Sequence, residues 1–224
     1  MSEVRLSYDL IRSARKTLAV QVTSTGRVVV RAPLRLSVER IESFIEAKYD
    51  WITLQVNLSE VQKSLLPELR DGEIISFLAQ SYSICFDDCC NAFLCDDKLY
   101  LPRNNPKKAL KSYIGKVFLP YVSQKTQAMA KRFGFNYKEV KIVSTHRRWG
   151  SCSADNTIRF NLALAFLPEK ALDGVIAHEL CHTLVKNHGK RFYAILYKVM
   201  PDYDFATSIR KQYAAFCSFF AEDI

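Results

Sequence analysis

The sequence lacks a long apolar run, a secretion leader and paired cysteine knuckles, and each absence removes a class of protein. No apolar stretch approaches the ~18–20 residues that cross a bilayer, so no membrane span is expected. Met1 to Lys16 alternates charged and apolar residues. It has neither the apolar block nor the small-residue cleavage site of a signal peptide, and a cytoplasmic location is expected. The seven cysteines are odd in number, which favours free thiols over a disulfide framework. Cys85, Cys89, Cys90 and Cys95 crowd together, so a second metal site must be weighed. Their C-x3-C-C-x4-C spacing is not that of structural zinc knuckles, and the alternation of Tyr82, Ile84 and Phe86 suggests a strand in which the thiols pack. Internal repeats and low-complexity segments are also missing.

Acidic residues are absent from one segment. Between Arg103 and Lys138 there are nine basic residues and none acidic, so the formal charge of +9 resides there. Such a run is either a solvated helix face or a patch for phosphate-bearing or acidic partners.

What is present is enough apolar residue, 49% over 224 positions, for a sizeable core. Leu18, Val20 and Val22, then Thr25-Gly26, then Val28 to Pro33 predict a β-hairpin. Ser37 can cap a helix with Ile41, Phe44, Ile45 and Ile52 on one stripe. Strand-like alternation resumes from Gly72 to Leu101, with a turn at Asp96-Asp97. The punctuation from Pro102 to Pro106 predicts a boundary, giving an N-terminal β-rich subdomain over 1–102 and a second domain over 103–224. A long helix is expected over about Lys107 to Phe133, kinked or split by Pro120 and stopped by Gly134. Short strands should follow at Val140–Ser144 and Thr157–Phe160, with a turn at Asp155-Asn156. Further helices are expected from Pro168 through Val185, from Gly189 to before Pro201, and from about Ala206 to Phe220.

The first of those three helices carries His178-Glu179-Leu180-Cys181-His182. Histidines four apart project from one helical face and can grip one metal ion. Glu179 is offset by one position, where it can take a proton from a water at the open coordination position. His188 follows ten residues after His178. A straight helix would carry it ~15 Å away, so the chain must turn back after Val185. Asn187 and Gly189 tolerate the left-handed backbone such a turn can need. Three histidines leave a fourth position open, the catalytic arrangement of zinc. The plainer alternative is two core histidines and one on the surface. Upstream, Thr145 to Cys152 mixes Trp149 and Gly150 with Arg147 and Arg148. Either arginine could stabilise an oxyanion; equally, Trp149 could anchor the core while the arginines are solvated. His146 is a weaker candidate ligand, with no partner at helical spacing.

At these residues the sequence resembles the YgjP-like metallopeptidases. The resemblance is carried by R-R-W-G-S-C from Arg147, F-N-L-A-L-A-F-L-P from Phe160, V-I-A-H-E-L-C-H-x5-H-G-x-R-F from Val175, and M-P-D-Y from Met200. The N-terminal R-S-A-R-K-T-L-A-V-Q-V and G-R-V-V-V-R-A-P look similar too. The C-terminal half is similar in arrangement to the WLM and SprT-like proteases, which act on DNA–protein crosslinks. The resemblance implies His178, His182 and His188 as ligands and Glu179 as acid/base, with Trp149, Gly150 and Ser151 beside the cleft. Ala79 departs from it, standing where the family's F-L-G pattern has glycine.

The expected fold is α+β, a β-rich N-terminal part followed by a helical, zincin-like catalytic half. The expected activity is zinc-dependent hydrolysis of a peptide or protein. A second reading keeps the centre but makes the substrate a nucleoside triphosphate. Segment 103–138, with Lys186, Lys190 and Arg191, would then hold its phosphates, and Mg2+ would be a companion ion. A third is a non-catalytic module binding nucleic acid around a structural zinc, against which Glu179 argues.

Overall fold

The computed structural model describes residues 6–23, 26–146 and 148–221. The chain divides into two compact units, one ending at Leu65 and the other beginning at Leu66. Its architecture is α+β.

In the first unit, β1 (Asp9–Ser13), β2 (Ala19–Val22) and β3 (Val28–Pro33) form a sheet of order β1-β3-β2. β2 and β3 are the expected antiparallel hairpin; Thr25 of its turn lies outside the described residues, and Gly26 has φ +78°. β1 adds parallel to β3, a pairing across sequence distance that alternation does not announce. On β3 the alternate residues Val28, Val30 and Ala32 are buried. They share a core with Ile41 and Ile45 of α1 (Val38–Glu46) and Ile52 of α2 (Tyr49–Ser64). Ser37 caps α1, its Oγ accepting from the Arg40 amide at 3.4 Å. The single helix expected here is thus two.

The second unit opens with β4 (Ile74–Phe77), β5 (Gln80–Asp87), β6 (Phe93–Cys95) and β7 (Lys98–Pro102), in the order β4-β5-β7-β6. Ile75, Phe77, Ile84, Leu99 and Leu101 of this sheet are buried in one core with Leu110, Ile114 and Phe118 of α3 (Pro106–Phe133). That shared core corrects the boundary placed at residue 102. Pro102 to Pro106 is a turn inside the unit, and the division falls at Leu65–Leu66. Cys85 lies on β5 and Cys95 on β6, on opposite sides of β7, so the backbones that carry these two thiols are at least ~9.5 Å apart at ordinary strand spacing. All seven cysteines are free.

α3 runs unbroken through Pro120. Every fourth residue from Leu110 to Ala130 is buried, whereas Pro120 is on the exposed side, where water can satisfy the carbonyl that proline leaves unpaired. Gly134, at φ +74°, ends the helix and donates its N–H to the Ala130 carbonyl. A second sheet follows, of order β8-β10-β9, from β8 (Glu139–Val143), β9 (Gly150–Cys152) and β10 (Thr157–Asn161). Asn156, at φ +63°, turns β9 back into β10. After a short 3₁₀ helix (Leu162–Phe166) come α4 (Glu169–Cys181), α5 (Lys190–Val199), α6 (Tyr203–Gln212) and α7 (Phe216–Phe219). α4 stops four residues before Val185, and the expected last helix is broken into α6 and α7 at Tyr213–Ala215. No described helix is long and apolar enough to cross a membrane.

Candidate functional site

α4 is packed nearly all round. Ala171, Leu172, Gly174, Val175, Ile176, Ala177, Leu180 and Cys181 are all buried. At Gly174 an added Cβ would come within 2.8 Å of the Ala206 Cβ, so only glycine lets α6 pack this closely. The same burial encloses Glu179 and half-buries His178.

His178 and His182 sit one turn apart, with Nε2 atoms 3.1 Å from each other. The chain turns back directly after His182, and the His188 Nε2 comes within 3.0 Å of His178 and 3.1 Å of His182. The turn does not use the left-handed backbone anticipated at Asn187 and Gly189. Among described residues neither has positive φ, and Gly189 is extended at φ −78°, ψ −178°. The reversal is instead made by turns through Thr183, Leu184 and Val185 that continue from the end of α4. Beneath the three imidazoles lies Phe192, fully buried, its ring centroid 5.0, 4.6 and 4.8 Å from those of His178, His182 and His188.

The outer nitrogens are also held. His182 Nδ1 lies 3.0 Å from the Val185 carbonyl, which can only accept, so its proton is on Nδ1 and Nε2 presents a lone pair. His178 Nδ1 lies 2.9 Å from the hydroxyl of Tyr203. Burial, reinforced by His182 and His188, holds His178 neutral down to about 3, and burial lowers His182 as well.

Glu179 is 4% exposed. Burial pushes its carboxyl up to about 7, opposed by the charge of Arg210. Its Oε2 is buried without a hydrogen-bond partner. Strand β9 passes directly over it: a Cβ on Gly150 would lie 2.7 Å from Oε1 and 2.8 Å from Cγ. Asn161, 1% exposed, holds that approach in place. Its Nδ2 donates to the carbonyls of Thr145 and Arg148 at 2.7 and 2.8 Å, its Oδ1 accepts from the Ala163 amide, and its own amide donates to the Trp149 carbonyl.

A metal ion fits this donor set. Three imidazole nitrogens at mutual distances of 3.0–3.1 Å leave a point within ~2.0–2.1 Å of all three, the usual zinc–imidazole distance. A buried carboxylate with one orphaned oxygen stands beside them. Among the described residues this is the only group of three or more metal-type side chains brought together. His146 is exposed and outside it.

The structure thus brings His178, His182, His188, Glu179 and Gly150 into one place. Ser151 follows Gly150 in β9, and Trp149 packs against the core. The Arg148 side chain is exposed; Arg147 lies outside the described residues. Lys186, considered above for phosphate, is engaged elsewhere. Its Nζ donates to the Ser153 carbonyl and Asn156 Oδ1, both at 2.7 Å, and to Cys152 Sγ at 3.4 Å, tying the loop after α4 to the β9–β10 hairpin. Tyr203, Phe192 and Asn161 were present in the sequence blocks without a role. No spacing rule links a residue on another element to a helical histidine.

Compared with known proteins, residues 16–212 match the family described as YgjP-like, metallopeptidase domain. No curated protein matches the chain. Among solved structures, the metallopeptidase zymogen abylysin of Pyrococcus abyssi aligns with a TM-score of 0.35 at 22% identity, over 39% of this chain and 87% of that one.

Proposed function

The chain belongs to the YgjP-like metallopeptidase family, and on that premise we propose that it is a zinc peptidase with His178, His182 and His188 as ligands and Glu179 as general base. The observation that carries this reading is the state of Glu179. It is a buried carboxyl pushed up to about 7, with an unpaired oxygen, adjoining three imidazoles. A structural metal site has no use for such a group, whereas a general base works best when its pKa lies near the operating pH. Zinc held there supplies Lewis acidity to the scissile carbonyl and to water.

This chain's residues do the rest. Glu179 takes the proton of the attacking water and delivers it to the leaving amine. Gly150 leaves room for the carboxylate under the strand. Phe192 gives the imidazoles an apolar floor that excludes water. β9 is an edge strand, so one side of its backbone is not paired to another strand of the sheet and is where an extended peptide would add.

Glu179→Gln tests the assignment. The amide cannot accept the proton, so zinc content by elemental analysis should match the wild type while peptide turnover falls at least 100-fold. Normal turnover in a zinc-replete preparation would remove Glu179 from the mechanism.

A further inference from the structure

Residues 183–188 join His182 to His188. Near its start this loop is held to its own ligand, because the Val185 carbonyl lies 3.0 Å from His182 Nδ1. The next side chain, Lys186, reaches out of the loop. Its Nζ lies 2.7 Å from the Ser153 carbonyl, 2.7 Å from Asn156 Oδ1 and 3.4 Å from Cys152 Sγ. An ammonium has three N–H bonds to give, so its donors are committed to the β9–β10 hairpin.

The acceptors sit at the turn that sets where β9 lies. The Asn156 amide donates to the Ser153 carbonyl at 3.1 Å, and the Ser153 amide to the Thr157 carbonyl at 3.0 Å. Cys152 is the last residue of β9, the strand whose Gly150 passes over Glu179. Lys138 also holds this turn, through Asp155 and the Asn156 carbonyl, but that tie does not involve the metal loop. A metal ion gripped by His182 and His188 would pin both ends of the loop, and the Lys186 ammonium would carry the restraint to the hairpin.

We infer that Lys186 is a positioning residue that couples occupancy of the metal centre to the order of the β9–β10 hairpin, so that the strand over Glu179 is set firmly only when the metal is in place. The inference rests on the three histidines being the ligands.

Amide hydrogen exchange of zinc-free and zinc-loaded protein reads this coupling without any substrate. The amides of Leu184 and Val185, both bonded to the Cys181 carbonyl, report the loop, and those of Ser153 and Asn156 report the hairpin. In the wild type zinc should slow both pairs, the hairpin pair by at least ~5-fold, the lower end of ordinary coupling between sites. Lys186→Met keeps the stem of the side chain and removes its donors. There zinc should still slow the loop pair and leave the hairpin pair within about twofold of its zinc-free rate. Lys186→Arg, which can donate to the same oxygens, should restore the slowing. Hairpin slowing that survives in Lys186→Met, or is missing from the wild type while the loop pair slows, would overturn the coupling and leave the metal centre standing. Loss of loop slowing along with hairpin slowing in Lys186→Met would also overturn it, making the lysine a support of the loop itself. A wild-type loop pair that zinc does not slow would overturn the ligand assignment and the inference with it.

Discussion

At the scale of single residues, the candidate site is a compromise between burial and charge. A carboxylate loses hydration on burial and is tolerated neutral or partnered. Glu179 has one oxygen, Oε2, buried without a hydrogen-bond partner, and it sits against a strand that has no side chain at the contact point. The absent side chain is therefore what gives the carboxylate its room. Gly150→Ala would place a methyl 2.7 Å from Oε1 and force the carboxylate aside. Because a shift of order 1 Å in a catalytic group can lower a rate ~100-fold, kcat on a peptide should drop by about that factor at unchanged zinc content. Wild-type kcat in Gly150→Ala would show that the carboxylate position under β9 is not needed. This residue marks the limit of what the sequence made legible. His178, His182 and Glu179 stand at spacings that helical geometry interprets by itself. The need for glycine at 150 arises from a strand crossing a helix 29 positions later in sequence, and no local pattern records it.

At the scale of elements, the patterns readable in advance were those whose cause is local. The β2–β3 hairpin, the cap at Ser37, the stop at Gly134 and the turn at Asn156 follow from neighbouring residues. The parallel pairing of β1, the three-residue β9 and the end of α4 at Cys181 are imposed by tertiary partners, which periodicity does not see. One local rule is broken. β4 and β5 are joined by the two residues Leu78 and Ala79, with Phe77 paired to Gln80. Both lie at positive φ, +52° and +61°, the geometry of a type I′ turn that favours glycine or asparagine. Leu78 gains from its position, since its side chain packs against the core and its amide donates to the Ala165 carbonyl at 2.7 Å. Ala79 is exposed and gains nothing comparable. It is also where the family resemblance predicts glycine. Ala79→Gly should relieve about 1 kcal/mol of left-handed strain, raising the melting temperature by roughly 2–4 °C for a unit of this size. A calorimetric scan showing no rise would mean that the turn relaxes around alanine without strain.

At the scale of the whole molecule, the question is what the net charge of +9 is for. The nine cations between Arg103 and Lys138 do not form one free face. Lys125 is paired with Glu169 and with Asp173 at 3.0 Å, Lys138 is 2.8 Å from Asp155, and Arg103 is 3.9 Å from Asp88. Lys111 donates to the Phe220 carbonyl at 2.7 Å and Lys107 lies over the Phe219 ring, so both secure the C-terminal turn whose Phe216 and Phe220 pack on Phe166. These lysines have structural work that a phosphate-binding role would have to displace. Replacing Lys107, Lys108 and Lys111 together by alanine should therefore lower the melting temperature and leave the Michaelis constant for a peptide within about twofold of wild type, with little dependence on salt because the scissile bond is neutral. A nucleotide substrate would give the opposite pattern. Its phosphates would need several of these cations, so the Michaelis constant would rise sharply in the triple variant and again with added salt, as screening shortens to a Debye length of ~8–10 Å. A nucleic-acid-binding module would show salt-dependent binding and no turnover of either substrate. Zinc-replete protein that hydrolyses a triphosphate, loses that activity in Glu179→Gln and leaves every peptide intact would transfer the same centre from the amide bond to the phosphoanhydride.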